Sequence, residues 1–492
     1  MHKWVWSSRA VLTPLFAFLI LIAAVPAKGD LLENSPDSGP DRMDSSAPPV
    51  DPASQQEGPN QTETRPSSTE QAGILQEELD DMSSRLDTIE TKSILDKIKL
   101  TGEFRTRLET IRHQDLSFAG ETVDGSAEEV WSNRLRISLR SDIRENIIFH
   151  GRLSYYKLFG EYTFDQEPSD WSYPSFPDPE GDLHVERAYI DYFIEGTPLS
   201  ITFGRLPASD GPPNELKDNT TRKSTWPVML NDVEADGLIA SLSLDRLTGL
   251  KNSMFRLVYT KFQQHYLRYM GRTLDFDDVR GMGAAFETEV PYVRSSLLWL
   301  SYVRMDLAPL KDLPGIVSYP ESTGYADMAT LHLQFNDLAG SGLDWFGAYT
   351  HISMDLAPSG TLFENGYEAS IYSDNISGTI GDDLQGHGVF TGVRYQLPLS
   401  FLRFPRVGLE YNYGSEYWLG LLSSGSGSLF NKLATRGHAG ELYYIQPLHK
   451  NTMFLRAGAI LADHDYFSPL YGEPRESDMK TTNYYLLVDI RF

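Results

Sequence analysis

The sequence predicts a transmembrane antiparallel up-and-down β-barrel of about sixteen strands. Three observations carry this: period-two alternation from Ile98 to the last residue, connections that alternate long and short, and a final strand ending flush on an aromatic. In that strand Tyr484, Leu486, Val488, Ile490 and Phe492 alternate with Tyr485, Leu487, Asp489 and Arg491. Successive side chains of a strand point to opposite faces, so one face is apolar to its end. A closed barrel pairs its last strand with its first. Phe492 is therefore expected at the periplasmic rim, beside the strand near Ile98–Arg112.

Three segments precede the barrel. Lys3 and Arg9, the apolar run Val11–Val25 and the small-residue site Val25-Pro-Ala27 make residues 1–27 an expected secretory signal peptide. The run is shorter than the ~20 residues that a membrane helix needs. Residues 28–73 are rich in Ser, Pro and acidic side chains and poor in aliphatic ones, which predicts a disordered linker. From Ile74 to Asp96, Leu75, Leu79, Met82, Leu86 and Ile89 fall at steps of four and three. That spacing predicts a short coiled-coil helix, which would zip with copies tethered by an oligomeric barrel.

The barrel is expected over residues 97–492. Its strands are predicted at Ile98–Arg112, Trp131–Ile143, Ile147–Tyr156, Glu186–Ile194, Leu199–Arg205, Gly237–Leu244, Met254–Phe262 and Gly281–Val290. The remaining eight are Ser296–Met305, Ala329–Phe335, Leu343–Met354, Val389–Leu397, Val407–Tyr413, Ala439–Gln446, Met453–Leu461 and Asn483–Phe492. Long connections such as His113–Val130, Lys157–Val185 and Leu206–Asp236 are each followed by a short one such as Arg144–Asn146, Glu195–Pro198 or Asp245–Ser253. A meander gives this rhythm when one rim carries tight periplasmic turns and the other carries external loops. An even strand count puts both ends of the barrel on the short-turn side, with the amino-terminal segment in the periplasm.

Composition limits the function classes. The chain has no cysteine, so neither a disulfide framework nor a thiolate metal site is available. Its formal charge of -25 excludes nucleic acid as a natural partner, because such a surface repels phosphate. The 26 Tyr, 24 Phe and 8 Trp suit the two interfacial girdles of a barrel in lipid and lipopolysaccharide. No cofactor motif is present. A cation site at Asp463-His-Asp465 lacks a third spaced ligand, and the pairs Asp277–Asp278 and Asp382–Asp383 are too ordinary in loops to define one. An outer-membrane hydrolase would need Ser and Asn beside a lipid-facing His, and His332, His351 and His438 have no such company.

In the first strand Leu100, Phe104 and Leu108 alternate with Lys99, Glu103, Arg105, Arg107 and Glu109. In the second, Leu135, Ile137 and Leu139 alternate with Arg134, Arg136, Arg140 and Asp142. A charge aimed at the bilayer midplane costs ~2–4 kcal/mol, so the charged phase is expected to face a wet lumen. Arg105, Arg107, Arg134, Arg136, Arg140 and Arg152 then form a basic ladder on the pore wall. With Arg187, Arg205, Arg256, Arg304, Arg394 and Arg456 assigned to the same inward phase, a weak anion preference is expected. The same charges would equally serve as a hydrogen-bonded lattice that stabilises the wall.

The third long loop stands apart: Phe203-Gly-Arg-Leu-Pro207, then Asp210-Gly-Pro-Pro213, then Ala235-Asp-Gly237. Stiffened by prolines and mixed in charge, it resembles the infolded third loop of general porins, which lies against the inner wall and narrows the pore. Its wording resembles a proteobacterial family of uncharacterised, porin-like envelope proteins with a signal peptide and a short coiled coil before the barrel. That resemblance implies fold and location but no substrate. Arg205, Asp210, Glu215, Lys217, Asp218, Arg222 and Lys223 are the expected constriction. The expected whole is a non-enzymatic outer-membrane channel, assembled as a homotrimer, that passes small hydrophilic solutes. The alternatives are a barrel acting as sheath for a partner such as a secreted cytochrome, and a barrel enzyme.

Overall fold

A computed structural model describes residues 82–83 and 97–492, except 119–120, 160–181, 231–234, 263–266, 270–271, 277–278, 307–309, 312–323, 357–383, 421–427, 429, 450–451 and 468–473. The expected signal peptide, linker and nearly all of the coiled coil lie outside the described residues, as do both acidic pairs. Sixteen strands close into a single antiparallel barrel. They are β1 (Ile98–Phe118), β2 (Glu121–Arg144), β3 (Ile147–Phe159), β4 (Asp182–Phe193), β5 (Leu199–Arg205), β6 (Asp236–Ser243), β7 (Met254–Phe262) and β8 (Val279–Thr288). The circle continues with β9 (Ser296–Asp306), β10 (Gly324–Phe335), β11 (Leu343–Leu356), β12 (Leu384–Gln396), β13 (Arg406–Gly414), β14 (Gly437–His449), β15 (Met453–His464) and β16 (Lys480–Arg491).

The seam is formed by β16 on β1, with Phe104 opposite Ile490 and Leu108 opposite Leu486. At its end the Phe492 amide donates to the Gly102 carbonyl at 3.0 Å, and the Gly102 amide donates to the Phe492 carbonyl at 2.6 Å. The Phe492 ring lies where a Cβ on residue 102 would stand, so a larger residue there would have to turn that ring aside. Closing the ladder leaves no edge strand, which is what a sheet in lipid requires. The outer phase carries the apolar band: Leu100, Leu108, Ile137, Leu153, Leu257, Leu300, Leu409, Leu442 and Leu486 are all exposed.

Several strands are longer than the alternation predicts. The first long connection is largely a continuation of the β1–β2 hairpin, with pairing as far as Phe118 and Glu121. Polar alternation there does not stop the ladder, because above the apolar band both faces can be wet. One irregularity serves the interior. Between Arg152 and Leu153 the β3–β4 register slips so that Glu186 is passed over. This bulge leaves Glu186 and Arg187 both buried, next to each other in sequence.

The expectation of a uniformly wet lumen is corrected. Many inward positions of β9–β12 are apolar: Trp299, Met305, Ala326, Met328, Phe346, Ala348, Ile352, Met354 and Phe390 are buried. They pack on Leu216, Trp226, Val228, Met229 and Leu230 of the β5–β6 connection and on Trp418, Leu419 and Leu433 of the β13–β14 connection. Each such side chain, fully buried, stabilises by about 1.5–3 kcal/mol, so these connections are held inside by the hydrophobic effect. Two expected inward arginines also move. Arg205 shares the outward phase of Phe203 and lies 3.9 Å from Asp236, with its side chain about a third exposed. Arg304 shares the outward phase of Leu300 and Tyr302, and pairs with Asp327 at 2.6 Å. Both lie at the long-loop ends of their strands, where an outward charge reaches water.

Candidate functional site: the segment inside the barrel

The β5–β6 connection does not lie along one wall; it reaches across the lumen. It enters past Leu206, whose amide donates to Ala235 at 2.8 Å, so its two ends are pinned together. Asp210 then meets the wall of β2–β4. Its carboxylate accepts from Arg136 at 3.1 Å, Arg152 at 2.9 Å, Arg187 at 3.3 Å and Lys223 at 2.7 Å. Arg136 and Arg152 are also held by Glu186, at 2.8 and 3.0 Å. Burial would favour the neutral acid, but this many cations hold the Asp210 carboxyl well below the ordinary range.

A single helical turn, α1 (Asn214–Asp218), carries the segment on to β12, β15, β16 and β1, with Asn219 in the left-handed region as its C-cap. A helix end leaves carbonyls without partners. Here arginines of the wall take them: Arg394 of β12 donates to Leu216 at 2.6 Å and Arg456 of β15 to Lys217 at 2.8 Å. Arg491 of β16 donates to the carbonyls of Asp218 and, at 2.9 Å, Asn219. The Asp218 carboxylate adds ion pairs to Arg105 at 3.0 Å and Arg456 at 2.9 Å. Cations at a helix C-terminus also complement its dipole.

Glu215 points to another sector. It accepts from Gln334 of β10 at 2.7 Å, its second carboxylate oxygen is buried without a partner, and burial pushes its pKa up. Lys217 pairs with Glu441 of β14 at 3.0 Å; burial lowers its pKa against that attraction. Arg222 donates to the Ser296 carbonyl of β9 at 3.2 Å, and Ser224 accepts from Arg256 of β7 at 2.6 Å. Lys223 remains about a third exposed. Of the expected constriction, six residues thus meet inside the barrel, and Arg205 does not join them.

The basic ladder is inside as well, though it divides in two. Arg105, Arg107, Arg134, Arg136 and Arg152 are largely buried among Glu103, Glu109, Glu186, Asp210 and Asp489. Arg140, near the short-turn rim, is half exposed beside Asp142 at 3.1 Å. Little in the sequence points to the second infolded segment, where Lys432 pairs with Glu410 and Glu441 and Trp418 donates to the Leu433 carbonyl at 2.7 Å. Its one signal was the apolar run Trp418-Leu-Gly-Leu-Leu422 inside a long external connection, which has to be buried somewhere. The histidines scatter: His332 is buried on the inner phase against Gln334, whereas His438 is exposed. In Asp463-His-Asp465 the strand alternates, sending His464 inward to Thr481 and leaving Asp465 half exposed.

Fold and site together define a closed sixteen-stranded barrel whose lumen holds a charged segment of its own chain. More narrowly, residues 124–289 and 315–482 match the family described as "Protein of unknown function (DUF3373)", and the chain belongs to that family. Comparison with the curated proteins found no match. Among solved structures the chain is similar to an anion-selective porin from Comamonas acidovorans, with 10% identity, 80% of this chain and 99% of that one covered, and a TM-score of 0.44. It is also similar to OmpF of Salmonella typhi in complex with daunomycin (12%, 80% and 97%, 0.44) and to OprB of Pseudomonas putida (12%, 82% and 96%, 0.46).

Proposed function

We propose that the protein is an outer-membrane, porin-like channel that passes small hydrophilic solutes and prefers anions, with its amino-terminal segment in the periplasm and with three copies to an assembly. The observation that carries this reading is the inward arginine ladder of β1–β3 facing the segment at Asp210–Lys223. Around that segment the six cations Arg105, Arg134, Arg136, Arg152, Arg187 and Lys223 outnumber the five acids Glu103, Glu186, Asp210, Asp218 and Asp489. A lumen with surplus fixed positive charge favours anions over cations. Asp210, Glu215, Lys217, Asp218, Arg222 and Lys223 form the constriction, and Arg140 and Lys223, the more exposed cations, are the ones a solute meets.

Single-channel recording in planar bilayers tests it. Stable conductance steps are expected, with chloride more permeant than potassium. Arg140→Glu combined with Lys223→Gln should move the permeability ratio toward cations without loss of folded barrel. A silent barrel, or an unchanged ratio in the variant, would refute the channel or the charge assignment respectively. The sheath reading has less support, because residues 206–230 already occupy space that a partner inside the lumen would need. For an enzyme, no grouping of nucleophile, base and orienting acid occurs among the described residues at the inner segment.

A further inference from the structure

A cavity of about 30 Å³ lies where α1, the β13–β14 connection and the wall of β1 and β14–β16 converge. Arg107 and Arg456 line it from the wall, Asn214 and Lys217 from α1, and Lys432 from the second infolded segment; Tyr485 closes one side. Four cations thus face this space, against one lining carboxylate, Glu441. The carboxylate and hydroxyl acceptors beside the cations are already used. Glu441 takes Lys217 and Lys432 on one oxygen and the Tyr485 hydroxyl on the other. The Ser428 hydroxyl accepts from Arg107 at 2.9 Å and donates to Glu109 at 3.0 Å. Donors remain over: Arg107 and Arg456 are 4% and 1% exposed, and each keeps an Nε–H with no hydrogen-bond partner.

The volume suffices for one species the size of a water molecule. Water would have to donate two protons as well as accept, and the surroundings offer chiefly donors. An acceptor that donates nothing fits better. We infer that this cavity is a binding site for one small inorganic anion of halide size, which ties α1 and the residues around Lys432 to the barrel wall. Such a site is independent of whether the barrel conducts, since it lies within the buried packing.

The test uses the full chain refolded in detergent. Thermal unfolding is followed in sodium chloride and, at equal ionic strength, in sodium gluconate, whose anion is too large for the cavity. A ligand that binds only the folded state raises Tm with the logarithm of its concentration. The expected result is a Tm that climbs with chloride and not with gluconate, and an Arg456→Gln variant in which the two salts are equivalent. Equal Tm values for the native chain in both salts would overturn the inference. If the variant fails to refold, crystals of the native chain soaked in bromide decide it: an anomalous peak between Arg107 and Arg456 supports the site, and a bare water there overturns it. A bromide peak in a barrel that carries no current would leave the site standing while the channel reading falls; current without a peak would do the reverse.

Discussion

At the scale of single residues, Asp210 and Glu215 are two buried acids with opposite surroundings. Asp210 faces four cations, so its removal leaves the three buried arginines with Glu186 as their one close carboxylate among the ion pairs described above. Loss of one partner of a buried pair costs about 3–5 kcal/mol. Asp210→Asn should therefore free the inner segment, and trypsin should cut after Arg222 or Lys223 in the folded variant while sparing the native chain. Because the folded value of Asp210 is depressed, its contribution is complete above the ordinary aspartate pKa of ~3.9 and is lost only as pH falls through the lower folded value. Glu215 runs the other way. Its folded pKa is raised, so its contribution is complete below the ordinary glutamate value of ~4.3 and disappears as pH rises through the folded one. Glu215→Gln should match the native chain in urea unfolding at pH 4 and exceed it at pH 8; equal stability at both would show that the carboxyl is not strained by burial.

Among the elements, the inner segment is the most dependent on close approach. Gly211 sits against the backbone carbonyl of Trp226, where a Cβ would overlap it. Overpacking of this kind costs about 1–3 kcal/mol. Gly211→Ala should loosen the segment without unfolding the barrel, read as faster hydrogen exchange at Leu216 and Met229 with no change at strand amides. The segment's composition gave its position, its stiffness and most of its charged residues. It did not give the partners on β12, β15 and β16, because Arg394, Arg456 and Arg491 are remote in sequence and nothing in their own strands marks them as helix caps. The second infolded segment was missed for a similar reason: its apolar run signals burial but not the surface it buries against.

For the whole molecule, the seam is the element on which closure depends. Phe104 and Ile490 are directly paired across it, at the ~4.5–5.5 Å Cα separation of an antiparallel pair. In a chain without cysteine, Phe104→Cys with Ile490→Cys should form one disulfide on oxidation and make the barrel resist heat during electrophoresis; failure to cross-link would mean a different seam register. The alternation from Ile98 to Phe492 determined the strand count, the antiparallel meander, the outward apolar band and the pairing of the last strand with the first. These are legible because each depends only on the two-residue repeat and on the rule that a sheet in lipid must close. The tertiary structure alone decided which inward side chains meet. It placed the segment across the lumen instead of along one wall, divided the inner surface into an arginine-rich side and an apolar side, and sent Arg205 and Arg304 outward. Those outcomes rest on contacts between residues hundreds of positions apart and on the local position of strand ends relative to water, neither of which a periodic pattern encodes.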